Sequence, residues 1–188
     1  VARVVGLDLS LTASGAAMAG EGLTARVSVL APPKKLGGGH GRLSLLRELC
    51  QAWWQAADLV LVEGPAYGSM SGAGHHESAG LWWMVTYDLW AAGVPVAVVP
   101  PSCLKKYAVG VGGGPKASKD KILVAAVRRF PEVDVDDNNA ADALWLAAMG
   151  SDHLGQPLCR MPAEHREVLT AVTKNGPAIR WPELGKAA

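Results

Sequence analysis

The sequence predicts a single α/β domain built on a mixed five-stranded sheet, three antiparallel strands then two parallel ones, flanked by helices. Three observations carry this. Short strand-like runs near the start are joined by turn signals alone, which makes an antiparallel meander. "DLVLVEGP" (58–65) follows a helix-length segment and stays apolar to its end, as a strand buried on both faces and parallel to its neighbours does. Beyond it, helix-period and strand-period segments alternate, the order expected when helices pack on a sheet. With 188 residues, 49% of them apolar and 19% charged, the chain can bury a real core as one domain.

The elements follow in order. Residues 2–9 alternate as a first strand, "LTASGAA" turns into a second near 15–20, and "LTARVSVL" (23–30) is a third. "APPKKLGGGHG" is a loop, and residues 42–57 carry helical spacing in Leu45, Leu46, Leu49, Trp53 and Ala56. The fourth strand, 58–65, is stopped by Gly-Pro. A Gly/Ser-rich loop and a long helix from about His75 to Ala92 lead to a fifth strand, "VPVAVVP" (94–100). A short helix over "PSCLKKYAVG", a flexible loop, a helix N-capped by Ser118 and running to about Phe130, and a helix over roughly 138–149 complete the pattern. Residues 1–153 are read as one domain of ribonuclease H-like order, and the Pro-rich, weakly periodic 154–188 as a C-terminal extension rather than a second domain.

Composition excludes several classes. No apolar run reaches the roughly 18–20 residues that cross a bilayer, and the first residues lack a charged-then-apolar leader. Cys50, Cys103 and Cys159 are odd in number and widely spaced, which disfavours a disulfide framework or zinc cluster and fits a reducing cytoplasm. Net charge is only +1, but its distribution is uneven. Lys105, Lys106, Lys116, Lys119, Lys121, Arg128 and Arg129 are opposed in their stretch by Asp120 alone, and the next segment, Glu132 to Asp142, is acidic. Cations for a phosphate backbone beside carboxylates for a metal are what a metal-dependent nuclease needs.

Three carboxylates stand out. Asp8 shares a strand face with Val4 and Gly6, where a buried strand should be apolar. Glu63 shares a face with Leu59 and Leu61 at the end of its strand. If the two strands are parallel neighbours, both acids project at the C-terminal edge, where α/β folds place their sites. Asp142, in an apolar helix, can pack against that edge. Three such acids raise one another's pKa unless a cation sits among them, and Mg²⁺, a hard ion taking oxygen ligands, suits that place. Asp136 and Asp137 read most simply as helix-start residues.

With these residues in place, the sequence resembles the RuvC Holliday junction resolvases, particularly phage-type members. "VVGLDLSLTASG", "LVLVEGPAYGS", "VPVAVVPPSCLKKYAVGVGGGPKASKDKI" and "NNAADALWLAA" are similar, in order, to the family's first strand, fourth strand, fifth strand with helix and basic loop, and last catalytic helix. The resemblance spans about residues 3 to 153. It implies that Asp8, Glu63 and Asp142 ligate two Mg²⁺ ions, with Mn²⁺ able to substitute, and that Lys105 and Lys119 lie by the scissile phosphate. Tyr67 is the aromatic available for the junction centre, one position beyond the usual one. Lys106, Lys116, Lys121 and Arg128 would contact DNA. The implied protein is a homodimer that nicks four-way junctions or other branched DNA in pairs, leaving 5′-phosphates, in a bacterial or phage-infected cytoplasm.

Asn139 departs from the family pattern, which often has an acid there. One turn before Asp142 it shares a helix face with it, so it is expected to face the site as a weak, uncharged metal ligand. That keeps alive a non-catalytic branched-DNA binding module on the same fold. "GLDLSLTASG" also resembles the first phosphate motif of actin-like ATPases and sugar kinases, but Ser10 replaces its glycine and the chain is too short for two such domains.

Overall fold

A computed structural model describes residues 1–20, 24–65, 74–174 and 176–184. Five strands form one sheet: β1 (Val4–Asp8), β2 (Ser14–Gly20), β3 (Thr24–Leu30), β4 (Leu59–Glu63) and β5 (Val96–Val99), in the order β3-β2-β1-β4-β5. The β1–β2 and β2–β3 pairs are antiparallel, β1–β4 and β4–β5 parallel. This is the mixed sheet expected from the sequence.

The alternation in β1 and β4 divides the core in two. Val5, Leu7, Val60 and Val62 face α1 (His40–Trp54) and α2 (His75–Ala91), whose buried stripes are Leu46, Cys50, Trp54 and Leu81, Val85, Leu89. Each stripe repeats every fourth residue, one face of a helix. Arg47 on α1 pairs with Asp88 on α2, its Nη2 2.8 Å from Oδ1, and joins the two helices. Val4, Leu59 and Leu61 face the other way, onto α3 (Pro101–Val109), α4 (Lys119–Arg129) and α5 (Asn138–His153). There Trp145 is fully buried between the rings of Phe130 (5.1 Å) and Tyr107 (6.0 Å), both edge-on, and donates to the Ile122 carbonyl at 3.2 Å. One aromatic cluster thus locks three helices together.

α5 lies unusually close to the sheet. A Cβ on Gly6 would stand 2.1 Å from the Ala143 carbonyl oxygen, and one on Gly15 would stand 1.8 Å from that of Asn139. Only glycine permits such an approach. Gly6 shares the strand face of Asp8 and Gly15 is its cross-strand partner, so the approach occurs beside the first candidate acid.

Two details differ from the sequence reading. Ser118 occupies the N-cap position of α4, yet its side chain makes no capping hydrogen bond. The segment after α5 is more structured than its weak periodicity predicts. It forms α6 (Ala163–Arg166), a 3-10 turn (Glu167–Leu169) and a two-residue hairpin of β6 (Val172–Thr173) and β7 (Gly176–Pro177). Met161, Val168, Leu169 and Ile179 are buried in the same core as α5. Four anchors scattered through a short irregular segment leave no periodic trace. Among the described residues no helix is long and apolar enough to cross a membrane.

Candidate active site

Asp8 is the last residue of β1 and Glu63 the last of β4; the parallel register pairs Leu7 with Val62, which sets the two acids side by side. Both strands end there for local reasons. β1 runs into a turn closed by Ser14, whose Oγ donates to the Ser10 carbonyl (2.9 Å) and accepts from the Ser10 amide (3.0 Å). β4 meets Gly64-Pro65, and Trp82 of α2 donates its indole N–H to the Glu63 carbonyl at 3.0 Å, holding the strand end in place.

Asp142 reaches the same edge from α5. The start of that helix is fixed by Asp137, whose carboxylate accepts from the Asn139 and Ala140 amides at 2.7 and 3.2 Å. An N-cap of this kind satisfies amides that a helix leaves open. From residue 140 to 152 every residue of α5 is buried, so Asp142, 8% exposed, is a charge carried into the core by a helix held there on all sides.

Burial acts on all three acids, and each is also shifted by at least one of the others. Burial pushes the Glu63 carboxyl up to about 9, with the charges of Asp8 and Asp142 and a hydrogen bond shared with Asp8 adding to it, against Lys105. Burial likewise raises Asp142 to about 7, with Asp8 and Asp137 adding and Lys119 and Lys105 opposing. Asp8 is raised by burial and by Asp137; the Glu63 hydrogen bond and Lys119 pull the other way. Glu63 therefore holds a proton against Asp8. Desolvated like charges are costly, and a shared proton is the cheapest internal remedy.

Lys105, on α3, and Lys119, the first residue of α4, are thus brought to the acids by two separate helices. The arrangement is three carboxylates and two ammonium groups at the C-terminal edge of parallel strands. Among the described residues no three His, Cys, Asp or Glu side chains stand close enough, as they are, to share one ion. The donor set nonetheless fits a hard divalent cation. Its oxygens are all carboxylate, and burial and mutual repulsion raise their pKa values, which a cation among them would oppose.

No family model matches the chain. Among curated proteins, the crossover junction endodeoxyribonuclease RuvC of Bartonella bacilliformis is 39% identical over 62 residues, 33% of this chain and 35% of that protein. The match therefore spans about a third of the relative's length. Among solved structures, Thermus thermophilus RuvC in complex with a Holliday junction substrate superposes with a TM-score of 0.60 at 17% identity, over 86% of this chain and 100% of that one. A second Thermus thermophilus RuvC structure gives 0.59 at 19% identity, over 85% and 99%. The fold is that of RuvC. The resemblance to RuvC stands in the fold and in the 62 matched residues.

On this RuvC fold the remaining candidates divide. Lys116, Lys121 and Arg128 lie exposed on the turn before α4 and on α4 itself. Lys106 turns away from the acids toward the C-terminal extension, where it pairs with Glu167 at 3.5 Å. The Asn139 amide Nδ2 donates to the Ala13 carbonyl at 2.8 Å and ties α5 to the β1–β2 turn; Oδ1, the atom expected to coordinate, takes no part in that bond. Asp137 combines its capping role with an influence on Asp8 and Asp142, as an N-cap one turn from a site can. Tyr67 lies outside the described residues.

The α2 tryptophans also separate. Trp82 faces inward to Glu63, while Trp83, Tyr87 and Trp90 are 67%, 62% and 66% exposed and form one outward stripe. Sequence spacing alone could not divide them, because α2 is apolar on more than one face.

Proposed function

We propose that this chain is a divalent-metal-dependent endonuclease that nicks branched DNA, with four-way junctions as its substrate class, leaving 5′-phosphates. The observation that carries the reading is the convergence of Asp8, Glu63 and Asp142 with Lys105 and Lys119 at one sheet edge. The RuvC fold and the partial match to a named crossover junction endodeoxyribonuclease support the choice of substrate.

Asp8, Glu63 and Asp142 would hold the ion, Mg²⁺ or Mn²⁺ in its place, and two ions where Asp137 assists. A cation held there supplies positive charge against the scissile phosphate and lowers the pKa of an attacking water. The chain's own residues do the rest. Glu63, which hydrogen-bonds Asp8, would have to be ionised to hold a cation. Trp82 fixes the Glu63 backbone, and the closely seated α5 fixes Asp142. Lys105 and Lys119 offset charge that builds on the phosphate oxygens. Lys116, Lys121 and Arg128 bind backbone phosphates, which makes affinity fall steeply with salt.

Paired nicks require two sites. The outward stripe of Trp83, Tyr87 and Trp90, with Tyr87 and Trp90 rings 5.7 Å apart, supplies an apolar face for a second copy. Trp83→Glu is expected to give a folded monomer by light scattering.

Labelled four-way junction and linear duplex, incubated with Mg²⁺ and with chelator, test the activity. Symmetric, metal-dependent nicks on the junction alone are expected, and Asp8→Asn should retain the junction without cutting it. Retained cutting in Asp8→Asn would sink the assignment. A second reading, a non-catalytic junction-binding module, is favoured by the engagement of Asn139 with Ala13; retarded but uncut junction at every metal concentration would establish it.

A further inference from the structure

At the far end of α4 and α5 from the acids, the C-terminal extension closes an open cleft of about 430 Å³ lined by Arg129, Arg160, Met161, Pro162, Ala163 and Arg166. An adjoining lobe of about 440 Å³ shares Arg160, Met161 and Arg166. Among the described residues no acidic side chain lines either lobe. Three guanidinium groups thus converge from three separate segments: the last residue of α4, the loop after α5, and α6.

Two of the three are fixed in place. The Arg129 Nη1 donates to the Arg160 carbonyl at 2.6 Å. Arg166 spends Nε and Nη2 on the buried Asp152 carboxylate, at 2.9 and 2.7 Å, which leaves its Nη1 out of that pair. Asp152 also accepts from the Tyr107 hydroxyl at 2.9 Å; its ion pair offsets the charge of Arg166, so the excess positive charge of the cleft comes from Arg129 and Arg160. Arg160 itself is exposed, and its side chain has no partner among the described residues. Fixed guanidinium groups with spare donors are suited to the oxygens of phosphate, which they can bind in pairs.

We propose that this cleft is a second phosphate-binding site, taking the backbone of a DNA arm away from the cutting centre. The inference rests on the nuclease reading for its substrate. Lys119 and Arg129 are ten residues apart on one helix, about 15 Å at 1.5 Å per residue. Laid along the axis of a duplex, where each strand carries a charge about every 3.4 Å of rise, that separation spans about four or five phosphates. Lys121 and Arg128 are exposed on the same helix, interspersed with exposed Asp120, Val124 and Val127. The cleft's place at the end of the helix that starts with Lys119, beside the acids, favours a nucleic-acid backbone over an acidic peptide. The extension then adds arm contact to a core that already holds the cutting site.

The test uses the whole, metal-free chain. Arginine side-chain N–H resonances are followed by NMR while a 12-base-pair duplex, inorganic phosphate or a Glu-rich peptide is added. The duplex should shift Arg129 and Arg160, and inorganic phosphate should shift them weakly. Junction affinity is then measured against salt. Arg160→Ala should lower the slope of log affinity against log salt by about 0.9 and weaken binding about threefold at low salt, and adding Arg129→Gln should roughly double both effects. Resonances unmoved by duplex, a response to the peptide alone, or an unchanged slope in folded variants would overturn the site. A wild-type chain that cuts no junction when Mg²⁺ is supplied, while Arg129 and Arg160 respond to duplex, would overturn the nuclease reading and leave the cleft standing.

Discussion

Asp142 and Asp152 lie ten residues apart on the same helix, and both are buried, 8% and 3% exposed. Asp152 is fully answered: Arg166 grips it through two nitrogens and the Tyr107 hydroxyl completes it. Asp142 is answered in part. Lys119 and Lys105 pull its pKa down, but burial and the charge of Asp8 prevail. One acid closes the fold, joining α3 and α5 to the C-terminal extension. The other is held against like charges by a helix that glycines let approach the sheet. A buried charge with its counter-charge built in is structural; one left short of it points to a ligand from outside.

The largest expected effect breaks the comparison at the unanswered acid. Asp142→Asn should lower junction cutting by about 10²–10³-fold, the size of loss seen when one group that stabilises developing charge is removed. Its junction affinity should stay within a few fold and its melting temperature should hold or rise, because a source of repulsion has gone. A variant that cuts normally would make Asp142 another structural acid.

The mirror experiment is Asp152→Asn. It removes the charge from a buried, charge-assisted network, and stability should fall by about 1.5–3 kcal/mol in denaturant titrations. Single-turnover cutting by the protein that remains folded should change little. If activity per folded molecule falls as far as in Asp142→Asn, the division of labour along α5 is wrong.

A third prediction uses pH. Glu63 and Asp142 have folded pKa values raised to about 9 and about 7, above their ordinary 4.5 and 3.8. The folded state therefore binds more protons than the unfolded chain, and stability falls as pH rises through that window. For metal-free protein, the melting temperature at pH 5 should exceed that at pH 8 by more than the roughly 2–4 °C that 1 kcal/mol represents at this chain length. Glu63→Gln should flatten much of the slope, and Mg²⁺ should raise the pH 8 value most. A flat profile for the metal-free wild type would mean that these acids do not repel one another.

The two aspartates also show what a sequence can and cannot disclose. Asp142 was legible because an acid inside "NNAADALWLAA" breaks an apolar pattern, as Asp8 does in its strand. The five strands were legible from periodicity and turn residues, while the pairing of β1 with β4 was only a condition of the reading. Asp152 was not singled out, since its partner Arg166 lies fourteen residues on, in a segment whose anchors follow no period. The arginine cleft was hidden for the same reason: Arg129, Arg160 and Arg166 meet only when the extension folds back. Lys105 and Lys106 are adjacent in sequence, yet one serves the acids and the other pairs with Glu167. Neighbours on a helix point in different directions, and only the packing of α3 decides which faces inward.

Asn139 gives the smallest and sharpest test. From sequence, an amide one turn before Asp142 is a site residue that has lost its charge, so restoring an acid should help. In the fold, its Nδ2 donates to the Ala13 carbonyl. Asn139→Asp replaces that donor with an acceptor facing a carbonyl oxygen and places a further negative charge beside Asp137. It should cost about 1 kcal/mol of stability, the usual worth of one such hydrogen bond, and leave Mg²⁺-dependent cutting no faster. Faster cutting at low Mg²⁺ would mean that the side chain can leave Ala13 and serve the acids. The tether, rather than the missing charge, would then be the feature that had been misjudged.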